Sequence, residues 1–160
     1  MNSETRTIVP GATRSALEDL VHRYARAMDV KDFTGVGELF LDDGVLVTPR
    51  PPESFSPTVV TMGRDGISAA VSALAHVPLT QHAVVGVTFE AGAGEHDATG
   101  RVVCRAAHLT VDGNGAASCS VWNIRYLDSY RFIANKWFLA RREVHLDWIE
   151  EPRVMLHAIR

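Results

Sequence analysis

Tyr24 and Asp29 stand five residues apart in a segment with helical apolar spacing, and His82 stands early in a segment with strand spacing. A phenol, a carboxylate and an imidazole are side chains of acid–base chemistry. A carboxylate that meets an imidazole holds it in one tautomer and stabilises its protonated form, which makes a general base near neutral pH. Each residue also has a plainer reading. Tyr24 shares a stripe with Leu17, Leu20 and Met28, so it reads equally as a core tyrosine whose hydroxyl has found a partner. Asp29 lies at the edge of that stripe near the helix end, where a solvated or capping carboxylate is the ordinary case. Period two puts His82 with Thr80 and Val84 on one strand face, and a single His on an apolar face is more often a satisfied core residue than a base. Only a meeting of Asp29 with His82 across a pocket would decide for chemistry.

The elements that must arrange that meeting can be read along the chain. Residues 1–12 are polar, end in Pro10 and Gly11, and read as a flexible arm ahead of one domain over 13–150, with a tail over 151–160. Ser15 and Glu18 make a capping box, followed by Leu17, Leu20, Val21, Tyr24, Ala25 and Met28 at helical spacing. Asp32 caps a shorter helix with Val36, Leu39 and Phe40 on its apolar face. Asp42, Asp43 and Gly44 predict a turn before a short strand over 45–48, and the prolines at 49, 51, 52 and 57 predict a loop, read as a lip over the pocket mouth or else a stiff surface loop. An extended run over 58–62 and a third helix with Ile67, Ala70, Val71 and Leu74 follow. The segments 80–90, 98–111, 116–132 and 136–148 are rich in β-formers and separated by turn signals, which predicts an antiparallel meander. Helices first and a meander afterwards define an α+β fold, in which a strongly curved sheet wraps around the helices.

The DGNG turn offers a strand register. Pairing Val111 with Ala116 puts Cys119 opposite His108, Val121 opposite Ala106 and Asn123 opposite Cys104. With His108 inward, Cys104, Ala106, Val121, Asn123 and Arg125 line one face, the mixture of small apolar and few polar groups that suits a small-molecule pocket. Trp122, Ile124 and Tyr126 then project from the other face, and a row of exposed aromatics predicts burial in a homo-oligomer, either dimer or trimer. Glu90, Asp128, Arg141, Arg142, Glu143 and Asp147 read as a solvated or interface-facing charged side.

Composition sets the outer limits. With 46% hydrophobic and 22% charged residues and a net charge of −3, the 160-residue chain reads as one soluble domain without the basic footprint of a nucleic-acid binder. The sequence has no apolar run long enough for a membrane span and no signal-peptide pattern, which predicts a cytoplasmic protein with no membrane partner. Cys104 and Cys119 are expected as free thiols. Two histidines and a carboxylate also spell an iron-binding facial triad, but no local ligand spacing accompanies them, so no metal is expected.

The segments ALEDLVHRYARAMDVKDFTGVGELFLDDGV, GRDGI, LTQH, CRAAH, RYLDSYRF and KWFLARREVHLDW, in this order over about Ser15 to Trp148, resemble the SnoaL-like branch of the NTF2-like superfamily. The resemblance implies a cone with a deep pocket between the first helix and the concave face of the sheet. The superfamily includes dehydratases, isomerases, cyclases and proteins that only bind ligands, so the resemblance speaks to fold more than to reaction. Its dehydratases use a helix Tyr and Asp with a sheet His, which fall here on Tyr24, Asp29 and His82, and a second His on the next strand, which falls on His108. They need no metal. The resulting expectation is a cofactor-independent acid–base enzyme, whether dehydratase, isomerase or cyclase. Its substrate would be a small, largely apolar oxygenated metabolite such as a polyketide, terpenoid or steroid-like compound. The alternative is a non-catalytic binder of small hydrophobic ligands.

Overall fold

A computed structural model describes residues 9–155; residues 1–8 of the arm expected over 1–12 and residues 156–160 of the expected tail lie outside the described residues, and the last two residues of that arm are already helical. Helix α1 (Gly11–Asp29) buries Leu17, Leu20, Val21, Tyr24, Ala25 and Met28, the stripe its spacing predicts. It begins four residues ahead of the expected capping box. Pro10 stands at the cap, its carbonyl accepts from the Arg14 amide at 2.9 Å, and Glu18 pairs with Arg14 at 2.9 Å instead of capping. Helix α2 (Phe33–Glu38) is capped by Asp32, whose Oδ1 accepts from the Gly35 amide at 2.9 Å. Helix α3 (Arg64–Val71) runs on into a 3₁₀ turn, Ser72–His76. It packs closely on α2 because Gly37 has no Cβ: one there would run into Ser68 Oγ and the Arg64 carbonyl oxygen.

Six strands form one mixed sheet: β1 (Phe40–Arg50), β2 (Ser54–Met62), β3 (Leu79–Ala91), β4 (Asp97–Val111), β5 (Ala117–Ile133) and β6 (Lys136–Glu150). Their order is β2-β1-β6-β5-β4-β3, with β1 parallel to β6 and the other pairs antiparallel. The meander β3 to β6 is as predicted. The first two strands are longer than predicted. The Asp42 to Gly44 turn is an irregularity inside β1, and the proline-rich stretch is the hairpin end of β1 and β2. Pro57 is tolerated because β2 is an edge strand, where a missing N–H breaks no ladder. Bulges at Val84/Gly86, Asn123/Ile124 and Ser129/Tyr130 bend the long strands, and the sheet stays open, with its core packed against α1.

The β4–β5 register differs by one residue from the expectation. Asp112 pairs with Ala116 by a 2.9 Å backbone bond, its Oδ1 accepts from the Asn114 and Ala116 amides, and Gly115 takes a left-handed φ of 81°. This is a three-residue loop closed by a glycine bulge, so Val111 faces Ala117 and not Ala116. Ser120 therefore stands opposite His108, Trp122 opposite Ala106 and Ile124 opposite Cys104. A slip of one residue turns every side chain of β5 to the other face. Cys119, Val121, Asn123 and Arg125 look away from the concave side, whereas Trp122, Ile124 and Tyr126 look into it. The aromatic row on which the oligomer expectation stood is thus an inner wall. Cys104 and Cys119 are free thiols, on opposite faces. No helix among the described residues is long and apolar enough to cross a membrane.

Candidate active site

Asp29 ends the last turn of α1 and His82 lies near the start of β3, and the two meet. The His82 amide donates to both Asp29 carboxylate oxygens, at 3.1 and 2.9 Å, and His82 Nδ1 lies 2.7 Å from Oδ1. A carboxylate can only accept, so Nδ1 carries the proton and the lone pair sits on Nε2. Burial works to raise the Asp29 pKa, but the side-chain and backbone hydrogen bonds from His82, its charge and Thr80 outweigh it, and the carboxyl is held below its ordinary value. The His82 side chain is 5% exposed and that of Asp29 26%. His108 stands edge-on to His82, with ring centroids 6.2 Å apart, and 5.4 Å from the Trp122 ring. Burial, helped by the His82 charge, pushes the His108 pKa down to about 4, so its imidazole is neutral at physiological pH.

His82 and His108 open onto a cavity of about 400 Å³ between α1, α3 and the concave sheet. Met28, Leu46, Val71, Leu74, Ile124 and Val144 make its apolar lining; Ser120 and Trp122 face in from β5, and Thr48 and Pro49 from the end of β1. Such a mostly apolar hollow with a few convergent polar groups is what a small-molecule site requires. Of the proline-rich stretch only Pro49 borders the cavity.

The residues predicted for the site separate into two groups. Tyr24, His82, Ala106 and His108 border the cavity, Asp29 stands behind His82, and Cys104 is buried in the core beside them. Burial pushes the Cys104 thiol up to about 11. Val121, Asn123 and Arg125 are not part of it, because the register turns them outward: Asn123 Nδ2 donates to Glu150 Oε1 at 2.9 Å, and Arg125 pairs with Asp147 at 2.6 Å. Their places are taken by Ser120, Trp122, Ile124 and Tyr126. The glycine at 115, two positions before the strand, is the signal that marks this register.

The base of the site holds a second ion pair that sequence reasoning assigned to the solvated surface. The Arg142 and Asp128 side chains are both 0% exposed, joined through Nε to Oδ1 at 2.8 Å and Nη2 to Oδ2 at 2.7 Å, and the Tyr130 hydroxyl donates to Asp128 Oδ2 at 2.6 Å. The Arg142 guanidinium lies 4.1 Å from the ring centroids of both Tyr24 and Tyr126. Its Nη1 has no hydrogen-bond partner among the described residues, and the two aromatic faces supply the compensating negative potential. Burial raises the Tyr24 phenol above its ordinary value against the opposing pull of Arg142, so the hydroxyl keeps its proton. Period two along Tyr126, Asp128 and Tyr130 is the pattern that places this carboxylate in an inward aromatic row. Among the described residues no group of three or more His, Cys, Asp or Glu side chains is arranged to hold a metal ion.

Solved structures share this architecture. A protein of Novosphingobium aromaticivorans named provisionally as a scytalone dehydratase superposes with a TM-score of 0.73 at 18% identity, over 90% of each chain. A hexachlorocyclohexane dehydrochlorinase of Novosphingobium barchaimii gives 0.73 at 14% identity, covering 93% of this chain and 95% of its own. An NTF2-like protein with a cystatin-like fold, also from Novosphingobium aromaticivorans, gives 0.59 at 22% identity, covering 84% and 81%. No curated protein matches the sequence. The family model of the SnoaL-like domain matches residues 12–143, most of the chain from α1 into β6. Sequence and architecture agree, and the chain belongs to the SnoaL-like domain family.

Proposed function

We propose that the protein is a cofactor-independent acid–base enzyme that takes a proton from a carbon next to a carbonyl in a small, largely apolar, oxygenated molecule. The observation that carries this reading is the 2.7 Å contact between Asp29 and His82 at the cavity wall, which occupies Nδ1 and leaves Nε2 of a cavity-lining imidazole as the acceptor. His82 takes the proton, the electron pair moves onto the carbonyl oxygen, and Tyr24 and neutral His108 are the groups available to hydrogen-bond that oxygen. Collapse of the enolate can expel a β-hydroxyl group. That group leaves as water once a proton from imidazolium or Tyr24 reaches it, which makes a dehydratase. Return of the proton at another carbon makes an isomerase or, with ring closure, a cyclase. Two structural relatives bear the names of eliminations, a dehydratase and a dehydrochlorinase, which favours the first outcome. The Trp122 ring and aliphatic walls suit a ring-bearing substrate such as a polyketide, terpenoid or steroid-like compound.

A panel of aromatic β-hydroxy ketones tests the proposal through the absorbance of the enone formed. Turnover by the wild type that falls about 10²- to 10⁴-fold in His82→Ala supports it; equal rates in the two proteins would sink it. In a protein that only binds, His82→Ala would lower affinity for the ketone and no enone would form with either. A homo-oligomer, dimer or trimer, stays part of the proposal on a new footing: Val60, Met62 and Val85 are exposed on the two edge strands. Sedimentation velocity gives the mass.

A further inference from the structure

We infer that Lys31 is a positioning residue for the Asp29–His82 pair, tied through the Thr80 hydroxyl to the helix turn that carries Asp29, from a turn position that ordinarily belongs to glycine. The assignment rests on the reading of Asp29 and His82 as the working pair.

The backbone supplies the first observation. At the end of α1 the Lys31 amide donates to the Met28 carbonyl at 3.3 Å and the Asp32 amide donates to the Ala27 carbonyl at 2.9 Å. These two bonds are the Schellman ending of a helix, and they place Lys31 at the residue after the cap, with a left-handed φ of 62°. Glycine is usual there because a Cβ crowds the carbonyl in this conformation. A lysine in such a place is strained, and strain of this kind concentrates where a side chain is needed.

The side chain supplies the second observation. Lys31 does not join the hydrophobic core; its Nζ donates to Thr80 Oγ1 at 2.9 Å. Thr80 is 3% exposed and lies two residues before His82, on the same face of β3. Its hydroxyl donates to the Met28 carbonyl at 3.5 Å, one residue before Asp29, and is among the groups that hold the Asp29 carboxyl below its ordinary value. A hydroxyl that accepts from an ammonium group is polarised and donates more strongly. Lys31 and Thr80 therefore brace the last turn of α1, which carries Asp29, while His82 holds the carboxylate itself. The Schellman bonds anchor the same turn that carries Asp29, so backbone and side chain of Lys31 fix the carboxylate together.

The charge has a second target. His108 is faced by His82 from β3, by Asp29 and Lys31 from the end of α1, and by Ser120 and Trp122 from β5. Lys31 and His82 oppose its protonation and Asp29 favours it. A neutral His108 can share a hydrogen bond with a substrate oxygen without competing for Asp29.

Three variants of the full chain test this without any substrate: Lys31→Gly, Lys31→Met and Lys31→Arg, each followed by thermal melting and by NMR of the histidine rings in the ligand-free protein. Glycine relieves the backbone, so Lys31→Gly should melt about 1–4 °C higher than the wild type. Both Lys31→Gly and Lys31→Met should nevertheless raise the His108 inflection above its wild-type position of about 4 and broaden the His82 Nδ1–H resonance, while Lys31→Arg retains both features. An unchanged His108 inflection and His82 resonance in Lys31→Gly and Lys31→Met would overturn the inference, leaving Lys31 as a turn residue only. The titration does not depend on turnover. A protein that converts no ketone but shows the Lys31 response would lose the catalytic reading and keep this one.

Discussion

Asp29 and Asp128 each accept a hydrogen bond of 2.7 Å from a side-chain nitrogen, the first at the end of α1 and the second beneath Tyr24 of the same helix. Around Asp128 everything is permanent. Its partner is an arginine that keeps its charge, both side chains are 0% exposed, and a tyrosine hydroxyl and two aromatic faces close the remaining sides. Around Asp29 everything can change. Its partner is an imidazole that can gain and lose a proton, the carboxylate is 26% exposed, and the imidazole borders an open cavity. The first arrangement can stabilise and orient but cannot exchange a proton. The second can, at the cost of a weaker hold on the fold. The difference teaches that a buried carboxylate pair becomes a working one through the titratability of its partner and its access to a ligand, not through its hydrogen-bond length.

The comparison breaks most severely at Asp128. Removal of one member of a sealed ion pair leaves an uncompensated buried charge, so Asp128→Ala should destabilise the protein by about 3–5 kcal/mol in denaturant unfolding. Combining Asp128→Leu with Arg142→Met should recover most of that loss; failure to recover would mean that the pair does more than satisfy itself. His82→Ala should do the reverse, costing about 1 kcal/mol in stability for the lost hydrogen bond while removing about 10²- to 10⁴-fold of turnover. A third effect is read in pH. The folded pKa of His108 is depressed, so the unfolded chain takes up the proton first, and the stability this group contributes is present above pH 6.5 and is lost as pH falls toward about 4. Denaturant midpoints across that window should fall with a slope of at most ~1.4 kcal/mol per pH unit from one proton, and His108→Gln should flatten it. Asp29, also depressed, acts at the acid end only, its contribution being lost as pH falls below 3.8. The smallest effect belongs to the outward face of β5. Arg125→Ala should change stability by no more than about 0.5–1 kcal/mol and leave ketone affinity unaltered, whereas Trp122→Ala should weaken it.

The same contrast explains what could be read from the sequence. The buried stripe of α1, the Asp32 cap, α3 and the four long strands follow from periodicity and turn residues, which act locally. Tyr24 and His82 could be placed on inward faces by the same rule, and the resemblance to the family brought Asp29 and His108 to them. The one-residue register between β4 and β5 depended on whether Asp112 belongs to the turn or to the ladder, a choice made by its own side chain and by the left-handed Gly115. From that choice came the exchange of Val121, Asn123 and Arg125 for Ser120, Trp122 and Ile124. The Arg142–Asp128 pair was hidden for a different reason. Charged residues read as solvent-facing unless a partner is known, and these partners lie fourteen residues apart on neighbouring strands. The hairpin of β1 and β2 was obscured because an edge strand admits the prolines that an inner strand would not.

Deuterium wash-in tests the central claim most directly. β-Tetralone in D₂O is followed by ¹H NMR for exchange at the carbons beside its carbonyl, with the wild type, Asp29→Asn, His82→Ala and buffer alone. Proton removal by His82 predicts exchange well above buffer with the wild type, a marked loss in Asp29→Asn and buffer-level exchange in His82→Ala. Exchange that is as fast in His82→Ala as in the wild type would contradict the account.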